Sequence, residues 1–144
     1  MKIYINSILF NKSLVDGPGI RTVLFVQGCD LHCPGCQNQS SWDITKGEEI
    51  EVSELAEIIR NNCINKKLTI SGGEPLMQKD AVLELLKLLK DFDLTLYTGH
   101  IREEVPTEMI EYLTYLKTGS FKQELRTSIT PFVGSTNQIF EKVK

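Results

Sequence analysis

Runs of apolar and β-branched residues alternate along this chain with stretches whose apolar positions recur every three or four residues. The first run, 21–27, predicts a strand. Leu55, Ile58 and Ile59 share one face of 54–62, which predicts a helix with Ser53 as its N-cap. A second strand is expected at 67–71. A stronger helix follows at 81–90, with Asp80 as cap and Val82, Leu85, Leu86 and Leu89 as its apolar stripe. A third strand, 94–98, ends on Gly99. A weaker helix at 107–112 leads to a short strand near 115–117. The rest reads as irregular or as ending in a short final element.

Strands alternating with helices imply an α/β fold with a mostly parallel sheet. A complete eight-unit barrel takes roughly 250 residues, more than the 144 present. The expected architecture is therefore a partial, open (β/α) barrel of about four to five parallel strands, with helices on the convex side. It forms one domain spanning 1–144. All three strand ends that carry unusual residues would open on the same side, where ligands of such sheets bind.

Composition narrows the setting without naming a chemistry. Apolar residues are 41% and charged residues 24%, ordinary for a globular protein. The net charge of −3 gives no reason to expect nucleic acid or an anionic membrane. No apolar run has the length of a membrane span, and Met1-Lys2-Ile3-Tyr4 lacks the apolar region of a signal peptide. A cytoplasmic location is expected, where thiols stay reduced.

The cysteines carry the chemistry. Cys29, Cys33 and Cys36 fall within one short loop in a Cys-x3-Cys-x2-Cys pattern, and no fourth cysteine is near. A [4Fe–4S] cluster usually takes four thiolates. Three would leave one iron open to a small molecule. The alternatives are a closed zinc site completed by His32 or a disulfide with one thiol left over. Cys63 reads as a structural, partly buried cysteine.

A second motif follows the strand at 67–71, as Gly72-Gly73-Glu74-Pro75. Two glycines at a strand end let the backbone turn sharply and approach a ligand. By itself this is also an ordinary strand-to-helix turn.

Together, the cysteine loop and Gly72-Gly73-Glu74-Pro75 resemble the radical S-adenosylmethionine superfamily. Val15-Asp16-Gly17-Pro18-Gly19-Ile20-Arg21, Phe25-Val26-Gln27-Gly28-Cys29, Cys36-Gln37-Asn38 and Trp42 are similar to the activases of glycyl radical enzymes. The short chain and the tail Gly134-Ser135-Thr136-Asn137-Gln138, preceded by Gly119-Ser120-Phe121, resemble activating proteins of anaerobic (class III) ribonucleoside-triphosphate reductase. Two positions depart from the wider pattern. Gly35 stands where many superfamily members carry an aromatic residue near the adenine, which leaves the adenine platform unidentified. Thr118 stands where many relatives are acidic.

The resemblance implies an oxidoreductase with one [4Fe–4S] cluster per chain, bound by Cys29, Cys33 and Cys36, that cleaves S-adenosyl-L-methionine. It implies a partner, the large glycyl radical subunit, and a one-electron donor such as flavodoxin or ferredoxin. Gly72, Gly73 and Glu74 are the expected contacts of the methionyl amino group. Thr98, Gly99 and Asn38 are further cofactor candidates, each equally readable as a plain strand end or loop polar, and the same holds for Asn137 and Gln138. Lys117 is either a point-charge partner of the methionyl carboxylate or a solvated surface lysine. The chain has too few residues for a lid of its own, so the partner is expected to supply the missing wall. Outside this reading stand an iron–sulfur electron carrier and a zinc-stabilised module. Within the superfamily stand a pyruvate formate-lyase-like activase and a small-molecule enzyme such as a 7-carboxy-7-deazaguanine synthase.

Overall fold

The computed structural model describes residues 1–29, 31, 33–35 and 42–144. Its strands are β1 (Lys2–Ser13), β2 (Arg21–Val26), β3 (Glu48–Glu51), β4 (Lys67–Gly72), β5 (Asp93–Tyr97), β6 (Tyr115–Thr118) and β7 (Ile139–Lys142). Its α-helices are α1 (Val52–Asn62), α2 (Lys79–Leu88) and α3 (Thr107–Ile110). All seven strands form one sheet in the order β3-β1-β2-β4-β5-β6-β7. β2, β4, β5 and β6 are parallel neighbours; β1, β3 and β7 pair antiparallel on the flanks.

The four central strands fall where the apolar runs predicted them. The helix starts do not. Glu51, not Ser53, precedes α1, because β3 runs straight into the helix. Gln78, not Asp80, precedes α2, because a 3-10 turn at Pro75–Gln78 leads into it. β1 and β3 are additional to the predicted strands. In the outer half of β1 Ile8, Leu9 and Phe10 stand between polar residues and none of the three is buried, so no alternation marks it, and β3 is Glu-Glu-Ile-Glu, a composition depleted in strands. Pairing with β1, from Lys2 opposite Glu51 to Ile5 opposite Glu48, makes β3 a strand.

Alternation along the strands gives the sheet two unlike faces. Leu24, Val26, Leu68, Ile70, Leu94, Leu96 and Leu116 point to one side and share a buried core with Leu55 and Ile59 of α1 and Val82, Leu85 and Leu86 of α2. Each such side chain stabilises the fold by about 1.5–3 kcal/mol through burial. Cys63 packs at the edge of this core, with Sγ 3.6 Å from the Lys67 carbonyl oxygen.

The opposite face carries Arg21, Thr69, Ser71, Thr95, Tyr97 and Lys117, by the same register. Arg21 is fully buried there. Its guanidinium donates to Thr69 Oγ1, to the carbonyls of Pro18, Leu68 and Asp93, and to Asp93 Oδ1. One side chain thereby fastens the Val15–Arg21 loop across the starts of β4 and β5. No helix among the described residues is long and apolar enough to cross a membrane.

Candidate functional site

Close backbone approach joins the cysteine loop to the Gly-Gly turn. Gly72 has φ +108°, and a Cβ there would overlap the backbone N and O of Val26. The residue must be glycine for β2 and β4 to stay paired to their ends. The ladder then continues past the strands, with Gly73 N donating to Val26 O at 3.0 Å and Glu74 N to Gly28 O at 2.7 Å. Cys29 follows directly, and its own N–H donates to Trp42 O at 3.0 Å across the base of the loop.

Glu74 locks a third loop to these two. Its side chain is 1% exposed. Oε1 accepts from Gly99 N at 2.7 Å, while Oε2 accepts from Thr98 Oγ1 at 2.7 Å and from Leu76 N at 2.9 Å. Burial nevertheless raises its carboxyl above the usual glutamate range; the three donors and the nearby His100 only oppose that shift. A carboxylate offers about four lone-pair sites, so Oε1 keeps capacity for one more donor. At Gly99 a Cβ would overlap Leu31 Cδ1 of the cysteine loop. Thr98 and Gly99 therefore hold the frame of the site whatever else they touch.

A cavity of about 1000 Å³ opens over the polar face of the sheet, bounded by Cys29, Cys33, Gly72, Gly73, Glu74 and Gly99 at the strand ends. Tyr97 and Lys117, opposite one another on β5 and β6, line its floor. Lys117 Nζ sits 4.4 Å from the centre of the Tyr97 ring, a cation–π contact. The Tyr97 hydroxyl is buried and has no hydrogen-bond partner among the described residues, a state that costs about 1–3 kcal/mol. Burial pushes this phenol far above its ordinary range. A buried donor left open at the floor of a ligand-sized cavity suits a bound polar group.

The chain supplies part of its own wall, against the expectation that it has none. After β6 it crosses the cavity as a strap before returning as β7, and Phe121, Ile129, Phe132 and Gly134 line the cavity from it. Arg126 and Ser135 bridge to make the strap a hairpin. The tail motif is its fastening. Gln138 Oε1 accepts from Gly134 N and Ser135 N, and its Nε2 donates to Gly119 O at 2.9 Å. Asn137 accepts from Ser135 Oγ and donates to Ser120 O at 2.8 Å. The strap arises because β7 pairs antiparallel with β6, which draws the intervening chain back over the sheet.

The structure thus gathers Cys29, Cys33, Gly72, Gly73, Glu74, Thr98, Gly99 and Lys117 around one cavity. Cys36 and Asn38 lie outside the described residues. Cys63 is not among the lining residues. Two thiols beside an open, ligand-sized cavity fit an iron–sulfur centre with a free coordination position better than a closed zinc site. Sequence reasoning missed Tyr97 and Phe132, which looked like ordinary strand and loop residues, and quoted Phe121 only as part of the tail motif.

Comparison with known proteins agrees with this geometry. Residues 15–141 match the family model of the 4Fe-4S single cluster domain. The anaerobic ribonucleoside-triphosphate reductase-activating protein of Vibrio cholerae is 33% identical over 142 residues, covering 90% of this chain and 92% of that protein. The pyruvate formate-lyase-activating enzyme of Clostridium pasteurianum is 42% identical over 86 residues, covering 56% of this chain but 36% of that protein. Among solved structures, QueE from Escherichia coli superposes with a TM-score of 0.60 at 18% identity, over 78% of this chain and 68% of that one, a likeness of fold. With a cluster-domain match over almost its whole length and a full-length relative of this kind, the chain belongs to the family of anaerobic ribonucleoside-triphosphate reductase-activating proteins.

Proposed function

We propose that this chain is a radical S-adenosylmethionine activase that installs a glycyl radical on the large subunit of anaerobic ribonucleoside-triphosphate reductase. The carrying observation is one cavity bounded at the same time by the cysteine loop, the Gly72–Glu74 turn and the Tyr97–Lys117 floor. Cys29, Cys33 and Cys36 would hold one [4Fe–4S] cluster. When bound, cluster and S-adenosylmethionine supply an adenosyl radical able to take a hydrogen atom from a glycine.

The chain's own residues bind and orient. The turn at Gly72 and Gly73 brings backbone to the cavity, and Oε1 of Glu74 has room for one further donor, which suits the methionyl ammonium. Lys117 offers a point charge for the methionyl carboxylate, and the open Tyr97 hydroxyl offers a donor beside it. Thr98, Gly99 and Asn38 complete the set, the first two by holding Glu74 and Leu31 in place. The strap excludes water from part of the cavity, and the partner subunit closes the rest. The helices on one face and the cavity on the other support an open partial (β/α) barrel within a single domain, helices outermost. A flavodoxin- or ferredoxin-like donor in the cytoplasm would provide the electron.

The test is electron paramagnetic resonance on anaerobic mixtures. A glycyl radical should appear only with this protein, the reductase subunit, S-adenosylmethionine and a reductant together. Rapid cofactor cleavage by the isolated chain on a small metabolite, with no radical on the reductase, overturns the reading. The stretch of identity to the Clostridium pasteurianum enzyme favours one second reading, activation of a pyruvate formate-lyase-like enzyme. Substituting that enzyme in the same mixture separates the two.

A further inference from the structure

Phe132 is out of place as a loop residue. Its φ is +64°, a left-handed conformation that a bulky side chain adopts only under constraint. Such strain concentrates at ligand clamps and switch regions. The constraint is visible in the packing. Phe132 leans on Phe140 of β7 with ring centres 4.9 Å apart, and Phe140 stacks in turn on Tyr115 of β6 at 5.5 Å and meets Tyr97 edge-on at 6.2 Å. A ladder of rings anchored in the sheet thus props one strap aromatic from behind, while Phe132 itself lines the cavity and is half-buried.

Among the described residues two other aromatics line the cavity, Tyr97 and Phe121, and each is already engaged. Lys117 covers the Tyr97 ring and Phe140 meets it edge-on. Phe121 packs against the strap backbone, where a Cβ on Gly134 would lie 3.0 Å from its Cδ1. Phe132 combines backing on one side, access to the cavity on the other and a backbone held in an unfavourable state.

We propose that Phe132 is the platform on which the adenine of the cofactor stacks, replacing the aromatic residue absent at Gly35. This rests on the cofactor reading above. The binding surface would then be split. The strand ends hold the methionyl group and the strap holds the base.

The experiment uses the full chain with its cluster assembled anaerobically and two partial ligands, 5′-methylthioadenosine, which carries the base, and methionine, which does not. Glycine adopts positive φ freely, so Phe132→Gly keeps the strap's path and removes only the ring. It should weaken methylthioadenosine about tenfold or more, the scale of one base–aromatic stack, and leave methionine binding unchanged. Phe132→Trp should restore the nucleoside. Unchanged affinity for methylthioadenosine in Phe132→Gly overturns the platform. So does an equal loss of both ligands, which would make the ring only a brace. Wild-type protein that binds S-adenosylmethionine and methionine but not methylthioadenosine also overturns it and leaves the cofactor reading standing. Wild-type protein that binds none of the three removes that reading, and the platform with it.

Discussion

The backbone N–H of Gly99 donates to Glu74 Oε1 at 2.7 Å, joining the end of β5 to the turn after β4. The same glycine lies beneath Leu31 of the cysteine loop. Three loops from three strands thus meet at one residue pair. The positions of Cys29 and Cys33 are set by a buried carboxylate as well as by the strand that precedes them.

That carboxylate should give stability a pH dependence. Burial raises the Glu74 pKa in the folded state, so the folded protein holds the proton more tightly than the unfolded chain. Its contribution is complete below the ordinary glutamate value of about 4.3 and is lost as pH rises through the raised value. Urea midpoints of wild type and Glu74→Gln, taken across this range, should show the wild-type advantage shrinking with rising pH. A constant difference would remove Glu74 as the source.

Gly99→Ala should displace Leu31 and with it the cysteine loop. Iron and sulfide content after anaerobic reconstitution should fall, and the double variant with Leu31→Ala should recover it, because the overlapping atom is gone. Full iron content in Gly99→Ala alone would show that the loop adapts without cost.

Cluster content should depend on three cysteines and not on the fourth. Alanine at Cys29, Cys33 or Cys36 should abolish the visible absorbance of the reconstituted protein. Cys63→Ala should preserve it, since Cys63 Sγ sits beside the Lys67 carbonyl, away from the cavity lining. Loss of iron in a folded Cys63→Ala protein contradicts the three-ligand arrangement.

Tyr97→Phe separates stability from binding. Deleting a buried hydroxyl with no partner among the described residues should leave the unfolding free energy in urea unchanged or raise it, by up to about 1–3 kcal/mol of relieved desolvation. Affinity for S-adenosylmethionine should fall at the same time. A destabilised variant with unaltered affinity would mean that the hydroxyl serves the fold.

Arg21→Ala should be among the most damaging single changes, at about 3 kcal/mol or more by urea denaturation, because each carbonyl left without its donor costs about 1–3 kcal/mol. It strands the carbonyls of Pro18, Leu68 and Asp93. Arg21→Lys should rescue little, because an ammonium cannot reproduce the planar fork.

Local chemistry alone determined the central strands, the helices between them, the cysteine spacing and the Gly-Gly turn. Each of these is written in neighbouring residues, as unbroken apolar runs, a 3.6-residue stripe or a backbone that only glycine can adopt. Tertiary structure decided the rest. Glu48–Glu51 is a strand only because β1 lies beside it. Ser53 and Asp80 cap nothing because the chain enters each helix directly from another element. Asn137 and Gln138 bind the strap to itself, and Phe132 reaches the cavity because β7 turns back along β6. The hydroxyl of Tyr97 lies buried at the cavity with no partner among the described residues only because the sheet places it there. Contacts between residues far apart in the chain leave no periodic trace in it, so burial, pairing and strain at those positions exist only once the sheet has assembled.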